Sequence, residues 1–339
     1  MDRLREGQGE LKISHDLRSQ NIIVTGGSGF VGSHVSEELV SCGADVTVLS
    51  RTPPSNSNVK HIPLDLRDAD AARRVGNSCT GQFAAIVHCA AMDGNAKYKQ
   101  ENASEILESN VRIALNTFAL CELVKVSKVV VISSAEVYRS GQNIPVVEAD
   151  PFGSPVDFQN NGYLTSKIIL EYLAAQYRIL LGNRVVVVRP SNVYGPGDKL
   201  ENGRLIPNVI HSCLNGLPID IWGDGKQRRS FLHVDDLSRA IRCLIELEVC
   251  PDEVNISAAK DSVISDVVAT IVRLTGTSSQ IRLCPDLPSG HAVPKFDISR
   301  LSSLIDFEFR DLESGLIETV ESFKSRMSAV SATNGVLRK

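Results

Sequence analysis

Tyr163 and Lys167 stand four residues apart in YLTSKIILEYLAAQY, a segment with helical apolar spacing, so both side chains project from one face. An ammonium beside a phenol stabilises the phenolate and is expected to lower a pKa of ~10 in free tyrosine. Such a pair can move a proton to or from a hydroxyl or carbonyl oxygen near neutral pH. The spacing also occurs on ordinary helices, so the pair gains meaning from its companions. One is Ser134, which closes the apolar run KVVVISS and can hydrogen-bond the same oxygen.

The second companion is the glycine loop TGGSGFVGSHV, which follows the apolar run NIIVT and opens a helical segment. Gly26 permits a tight turn, Gly29 lets backbone approach a pyrophosphate, and Gly32 lets helix and strand pack closely. The phosphates would rest on the helix N-terminus, where free N–H groups and the dipole favour negative charge. A dinucleotide held there would take or give the hydride while Tyr163 moves the proton. At the end of the second strand candidate, where an acid would bind the ribose 2′-hydroxyl of NAD, stand Ser50 and Arg51. They favour NADP, with NAD as the alternative and a solvated turn residue as the other reading of Arg51. Asp65, after the third strand candidate, is placed to meet the adenine amino group or to cap a surface turn.

These residues need a scaffold, and the chain supplies a legible one. From Asn21 to Arg189, β-branched runs (NIIVT, DVTVLS, HIPLDL, AAIVHCAA, KVVVISS, RVVVVRP) alternate with helical segments. The pattern predicts an α/β fold: a Rossmann-type doubly wound parallel sheet over residues 21–190. Residues 191–326 read as a smaller C-terminal α/β substrate lobe, with segments returning to the first domain. Residues 1–20 and 327–339 read as a loose leader and tail. With 339 residues, 42% of them hydrophobic, the chain can bury a large core. A net charge of −4, from 36 basic and 40 acidic residues, gives no field for nucleic acid. No apolar run is long enough for a membrane span, and the eight cysteines lack paired metal-ligand spacing. Reduced thiols in a cytoplasmic protein with no metal are the expectation.

The motifs TGGSGFVG, HCAA, SSAEVY, YLTSK, RPSNVYGPGD and RRSFLHVDD occur in the order seen in extended short-chain dehydrogenase/reductases. The chain resembles their NAD-dependent epimerase/dehydratase family, which modifies nucleotide-sugars. The resemblance implies Ser134, Tyr163 and Lys167 as a catalytic trio. It implies a cofactor site made of Gly26, Ser28, Gly29, Phe30, Val31, Gly32, Ser50, Arg51, Asp65, Leu66, Ala90, Ala91, Tyr163, Lys167 and Pro190. Ser134, Asn192 and Arg229 are implied as contacts to a nucleotide-diphosphate sugar; Asn192 also reads as a turn residue and Arg229 as a surface charge. His88 and His233 read as packing or hydrogen-bonding positions.

Glu136 lies two residues after Ser134, where relatives that enolise or eliminate carry an acid or base; it also reads as a solvent-facing residue with no structural consequence. Ala135 stands where dTDP-glucose 4,6-dehydratases carry the Asp that protonates the leaving hydroxyl. Gly197 stands where GDP-fucose synthases have a histidine acid, and Glu136 where they have a cysteine. The implied activity is an NAD(P)-dependent epimerase or 4-ketoreductase working at sugar C4. Dehydration or decarboxylation through Glu136 is one alternative, and a catalytically silent NADP-binding sensor or scaffold another. The segments Ala103–Val124 and Tyr163–Leu181 are implied as the faces of a homodimer.

Overall fold

Each β-branched run of the N-terminal half becomes a strand: β1 (Asn21–Thr25), β2 (Asp45–Ser50), β3 (Lys60–Pro63), β4 (Ala85–His88), β5 (Lys128–Ile132) and β6 (Val185–Pro190). The computed structural model describes residues 16–336 apart from 80, 140–144, 154–160, 183, 201–202, 259, 288–294 and 307. Between the strands run α1 (Phe30–Ser41), α2 (Ala69–Ser78), α3 (Ala96–Glu101), α4 (Ala103–Val124) and α5 (Gly162–Leu181). Beyond Pro190 come β7 (Asn192–Tyr194), α6 (Leu205–Leu214), β8 (Ile219–Trp222), β9 (Arg228–His233) and α7 (Val234–Glu246). The chain continues through β10 (Glu253–Ile256), β11 (Asp261–Val263), α8 (Ile264–Thr275), β12 (Ile281–Cys284), α9 (Ser299–Leu304) and α10 (Leu312–Val336).

The large sheet has the order β10-β6-β5-β4-β1-β2-β3, and every pairing in it is parallel. Because strand side chains alternate, its two faces feed two different cores. Ile22 and Val24 of β1, Val130 of β5 and Val186 and Val188 of β6 pack with α1 and α7 on one face. Ile23, Val129, Val131, Val185 and Val187 pack with α2, α4 and α5 on the other. Continuous apolar strands are what burial on both faces requires.

Three segments beyond Pro190 join this sheet and its layers: β10 pairs with β6, α7 packs on α1, and α9 adds Leu301 to the same core. The remainder forms a smaller lobe with its own core, where the β11-β9-β7 and β12-β8 sheets lie among α6, α8 and α10. The packed fold begins before the expected boundary, since Leu17 is buried in the first core and Ser19 N–H donates to the Gly43 carbonyl at 2.8 Å. The C-terminal helix runs on to Val336 where a loose tail was expected. The leader before residue 16 and the last three residues lie outside the described residues. Among the described residues, no helix is long and apolar enough to cross a membrane.

Candidate active site

A cleft of about 1250 Å³ opens at the carboxyl ends of the parallel strands, between the large sheet and the smaller lobe. At one end is the glycine turn. Gly26 adopts φ +69°, and a Cβ there would lie 2.7 Å from Ala90 Cα, so both the backbone angle and the space require glycine. A Cβ on Gly32 would lie 2.3 Å from the Gly26 carbonyl oxygen, which forces the close helix–strand packing read from sequence. Helix α1 starts at Gly29 without a side-chain cap, leaving its first N–H groups to serve an anion. Gly26, Gly29, Phe30, Val31 and Gly32 line the cleft, as do Ala91 and Pro190. This cradle fits a dinucleotide.

Arg51 lines the cleft at the end of β2. Ser50 is buried beside it and donates its hydroxyl to the Thr52 carbonyl at 2.7 Å, while Thr52 donates to Ser28 Oγ at 3.1 Å. Asp65, Leu66 and Ala90 stand behind the lining. The Asp65 carboxylate is paired with Arg67 at 2.6 Å and held below its ordinary pKa mainly by that hydrogen bond; Leu66 is core, and Ala90 backs Gly26.

Tyr163 and Lys167 enter the cleft from the first turns of α5, whose start is capped by Asn161 Oδ1 accepting the Leu164 N–H at 3.0 Å. Both are buried, Tyr163 at 8% exposure and Lys167 at 6%. Lys167 Nζ donates to the Ile132 carbonyl at 2.6 Å and lies 5.5 Å from the Tyr163 ring centroid. Burial lowers Lys167 to a pKa of about 8. The expected lowering of the phenol is reversed: burial first, then the Asp93 and Glu136 carboxylates, push Tyr163 well above its ordinary value against the pull of Lys99 and Arg204. Ser134 sits just past β5, its Oγ accepting the Glu136 N–H at 3.1 Å to cap the short 3₁₀ turn Ala135–Val137. One turn further along α5, Glu171 forms a buried ion pair with Arg189 at 2.6 Å and accepts the Ser133 hydroxyl.

Sequence reasoning missed the charges around the tyrosine. Lys99 on α3 holds its ammonium 3.8 Å from the Tyr163 ring centroid, 2.6 Å from Glu136 Oε1 and 3.2 Å from Asp93 Oδ1. Arg204 pairs with Asp93 at 2.7 Å and with Asp198 at 3.3 Å. Glu136 is therefore an ion-paired wall of the cleft. Nothing in AKYKQE distinguishes Lys99 from a solvated helix charge, and the GPGDKLENGR loop has no motif to single out Arg204.

Asn192 and Arg229 reach the cleft from β7 and β9; Asn192 Nδ2 donates to the Ser230 carbonyl at 3.0 Å, and Arg229 is 8% exposed. Outside the cleft, His88 lies 2.8 Å from the Thr25 hydroxyl, buried and held down to a pKa of about 3 by that burial. His233, Asp235 and Glu318 converge within 4.8 Å of one another. Arg310 Nη1 already lies among them, 2.6 Å from Glu318 and 2.9 Å from His233 Nδ1, so a guanidinium supplies the cation there.

The chain is 38% identical over 315 residues to a dTDP-4-dehydro-6-deoxy-D-allose reductase from a Streptomyces species, covering 90% of this chain and 96% of the relative. It is 31% identical to a UDP-N-acetyl-alpha-D-glucosaminuronate decarboxylase from Bacillus cytotoxicus, covering 89% of this chain and 97% of that protein. A solved UDP-N-acetylglucosamine 4-epimerase from Methanobrevibacter ruminantium superposes with a TM-score of 0.80 at 25% identity, covering 91% of this chain and 99% of that one. Residues 22–257 match the model of a family of enzymes named for its nicotinamide cofactor. The chain belongs to the NAD dependent epimerase/dehydratase family.

Proposed function

We propose that this chain is an NADP(H)-using 4-ketoreductase of nucleotide-sugars, converting a 4-ketone to a 4-hydroxyl. The observation that carries the reading is the convergence of Tyr163, Lys167 and Ser134, in one cleft, with the open glycine turn of α1. When bound, the nicotinamide would supply hydride to sugar C4. The residues from Gly26 to Gly32 would hold its pyrophosphate, Arg51 its 2′-phosphate, and Pro190, Tyr163 and Lys167 its nicotinamide end. Asn192 and Arg229 would hold the diphosphate of the sugar nucleotide.

Tyr163 then donates its phenol proton to the ketone oxygen, and the Ser134 hydroxyl donates a hydrogen bond to the same oxygen. Burial, with the Asp93 and Glu136 carboxylates, keeps the phenol in its protonated form. Similarity to the Streptomyces reductase points to a dTDP-linked 4-dehydro-6-deoxy-hexose as substrate. Dehydration or decarboxylation through Glu136 is opposed by its pairing with Lys99.

The absence of an acid at Ser50–Arg51 supports NADP over NAD. Apolar residues exposed on α4 and α5 support a homodimer, and the eight free cysteines suit the cytoplasm. Incubation with a panel of nucleotide 4-ketosugars, following NADPH absorbance and product mass, tests the reading. Gain of two hydrogens with loss of NADPH is the expected result; a mass-neutral product, or loss of water or carbon dioxide, overturns it.

A further inference from the structure

The proton chemistry of Tyr163, Ser134 and Lys167 leaves one buried charge without a task. The Lys99 side chain is 12% exposed and fixed from two sides, by Glu136 at 2.6 Å and by Asp93 at 3.2 Å, with Asp93 in turn held by Arg204. These contacts keep the ammonium over the face of the Tyr163 ring. Glu136 and the Tyr163 ring thus share one ammonium as a neighbour.

That placement matters because a 4-ketone is acidic at its neighbours. Ser134, Glu136 and Tyr163 line one cleft, so a sugar whose C4 oxygen was hydrogen-bonded by Tyr163 and Ser134 would have Glu136 among its neighbours. A free carboxylate at Glu136 could take a proton from C3 or C5. The C–H electron pair would become the carbon–carbon double bond of an enol, and Tyr163 would pass its proton to the C4 oxygen. The reverse sequence would return a solvent proton to carbon, with no change in redox state.

Resting on the reductase reading, we infer that Lys99 is a positioning residue that restrains Glu136: the ion pair occupies the carboxylate and keeps the bound ketosugar from enolising, so the ketone is only reduced. A carboxylate oxygen engaged by an ammonium through a short charge-assisted hydrogen bond must give up that contact before it can reach a carbon-bound proton. Lys99 does not replace the acid missing at Ala135. Burial would lower its pKa, but Asp93 and Glu136 outweigh burial and raise it, so it is a poor proton donor.

The test is carried out in heavy water with NADPH and dTDP-4-dehydro-6-deoxy-D-allose, comparing the native chain with Lys99→Met, Lys99→Arg and the double variant Lys99→Met/Glu136→Gln. NADPH absorbance reports reduction, and mass spectrometry with proton NMR locates deuterium in recovered substrate and product after subtraction of enzyme-free exchange. The native chain and Lys99→Arg are expected to give sugar without enzyme-dependent deuterium at C3 or C5. Lys99→Met is expected to raise that exchange at least about tenfold, the effect of losing one charge-assisted hydrogen bond to the carboxylate, and the added Glu136→Gln to abolish it. Lys99→Gln carries the same expectation as Lys99→Met if the latter does not fold. Deuterium placed on carbon by the native chain, no exchange by a folded charge-deleted variant, or exchange that survives Glu136→Gln overturns the restraint while reduction stands. Failure of the native chain to oxidise NADPH with this substrate removes the reductase reading and the inference with it.

Discussion

Three side chains divide the proposed chemistry. Tyr163→Phe removes the proton donor and keeps the ring that Lys99 covers, so reduction should fall by at least about two orders of magnitude. NADPH binding, followed by its fluorescence, should persist; retained turnover would exclude Tyr163 as the acid. Lys167 carries its charge only below about pH 8, because burial favours the neutral amine. If the ammonium is needed to hold the cofactor and orient the phenol, kcat/KM for reduction should be flat below that pH and fall about tenfold per unit above it. An alkaline limb displaced to the range of tyrosine would assign it to Tyr163 instead. Arg51→Ala should weaken NADPH binding by at least about tenfold with little effect on NADH, since only the former carries the 2′-phosphate that a guanidinium binds in bidentate fashion. Equal losses measured by titration calorimetry would remove the NADP assignment.

At the scale of elements, helix α5 links chemistry to stability. Tyr163, Lys167 and Glu171 recur at helical spacing on one face, and the third ties α5 to the sheet through the buried Arg189 at the end of β6. Arg189 Nη1 also donates to the Tyr138 hydroxyl at 2.8 Å and to the Glu148 carbonyl at 2.9 Å. Arg189→Met leaves the Glu171 carboxylate buried without its cation and should cost about 3–5 kcal/mol in urea unfolding. Adding Glu171→Leu should recover much of that loss, because replacing both charges by apolar groups removes the desolvation cost. Similar stability for the single and double variants would show that the pair is not coupled. In the sequence, Arg189 was only the charged end of an otherwise apolar strand and Glu171 an ordinary helical acid. The strand read from HIPLDL is a four-residue edge, Lys60–Pro63, beyond which Leu64 N–H still donates to the Ser50 carbonyl at 3.1 Å.

Across the whole molecule, the centre of the large parallel sheet was legible because β1, β5 and β6 are rich in β-branched residues and buried on both faces, a local signal. The glycine turn, Ser134 and the Tyr163–Lys167 pair were legible because their spacing is fixed by one turn or one helix. The Lys99, Asp93 and Arg204 cluster was not, since it forms only when α3 and the loop before α6 meet over α5. The return of α7 and β10 to the large sheet also depends on pairings distant in sequence. A comparable long-range question concerns the outer face of α4 and α5, where Ile179 is 80% exposed, Leu180 63%, Tyr172 61% and Leu115 44%. These exposed apolar side chains lie on two helices packed against each other, and a second copy of the same two helices would cover them. Light scattering of the native chain should therefore give twice the chain mass across micromolar concentrations. The double variant Leu115→Asp/Ile179→Asp should shift it to the single mass with the fold intact by circular dichroism, because each dimer would bury four uncompensated carboxylates. A native chain that is monomeric throughout, or a double variant that remains dimeric, would place the contact elsewhere or remove it.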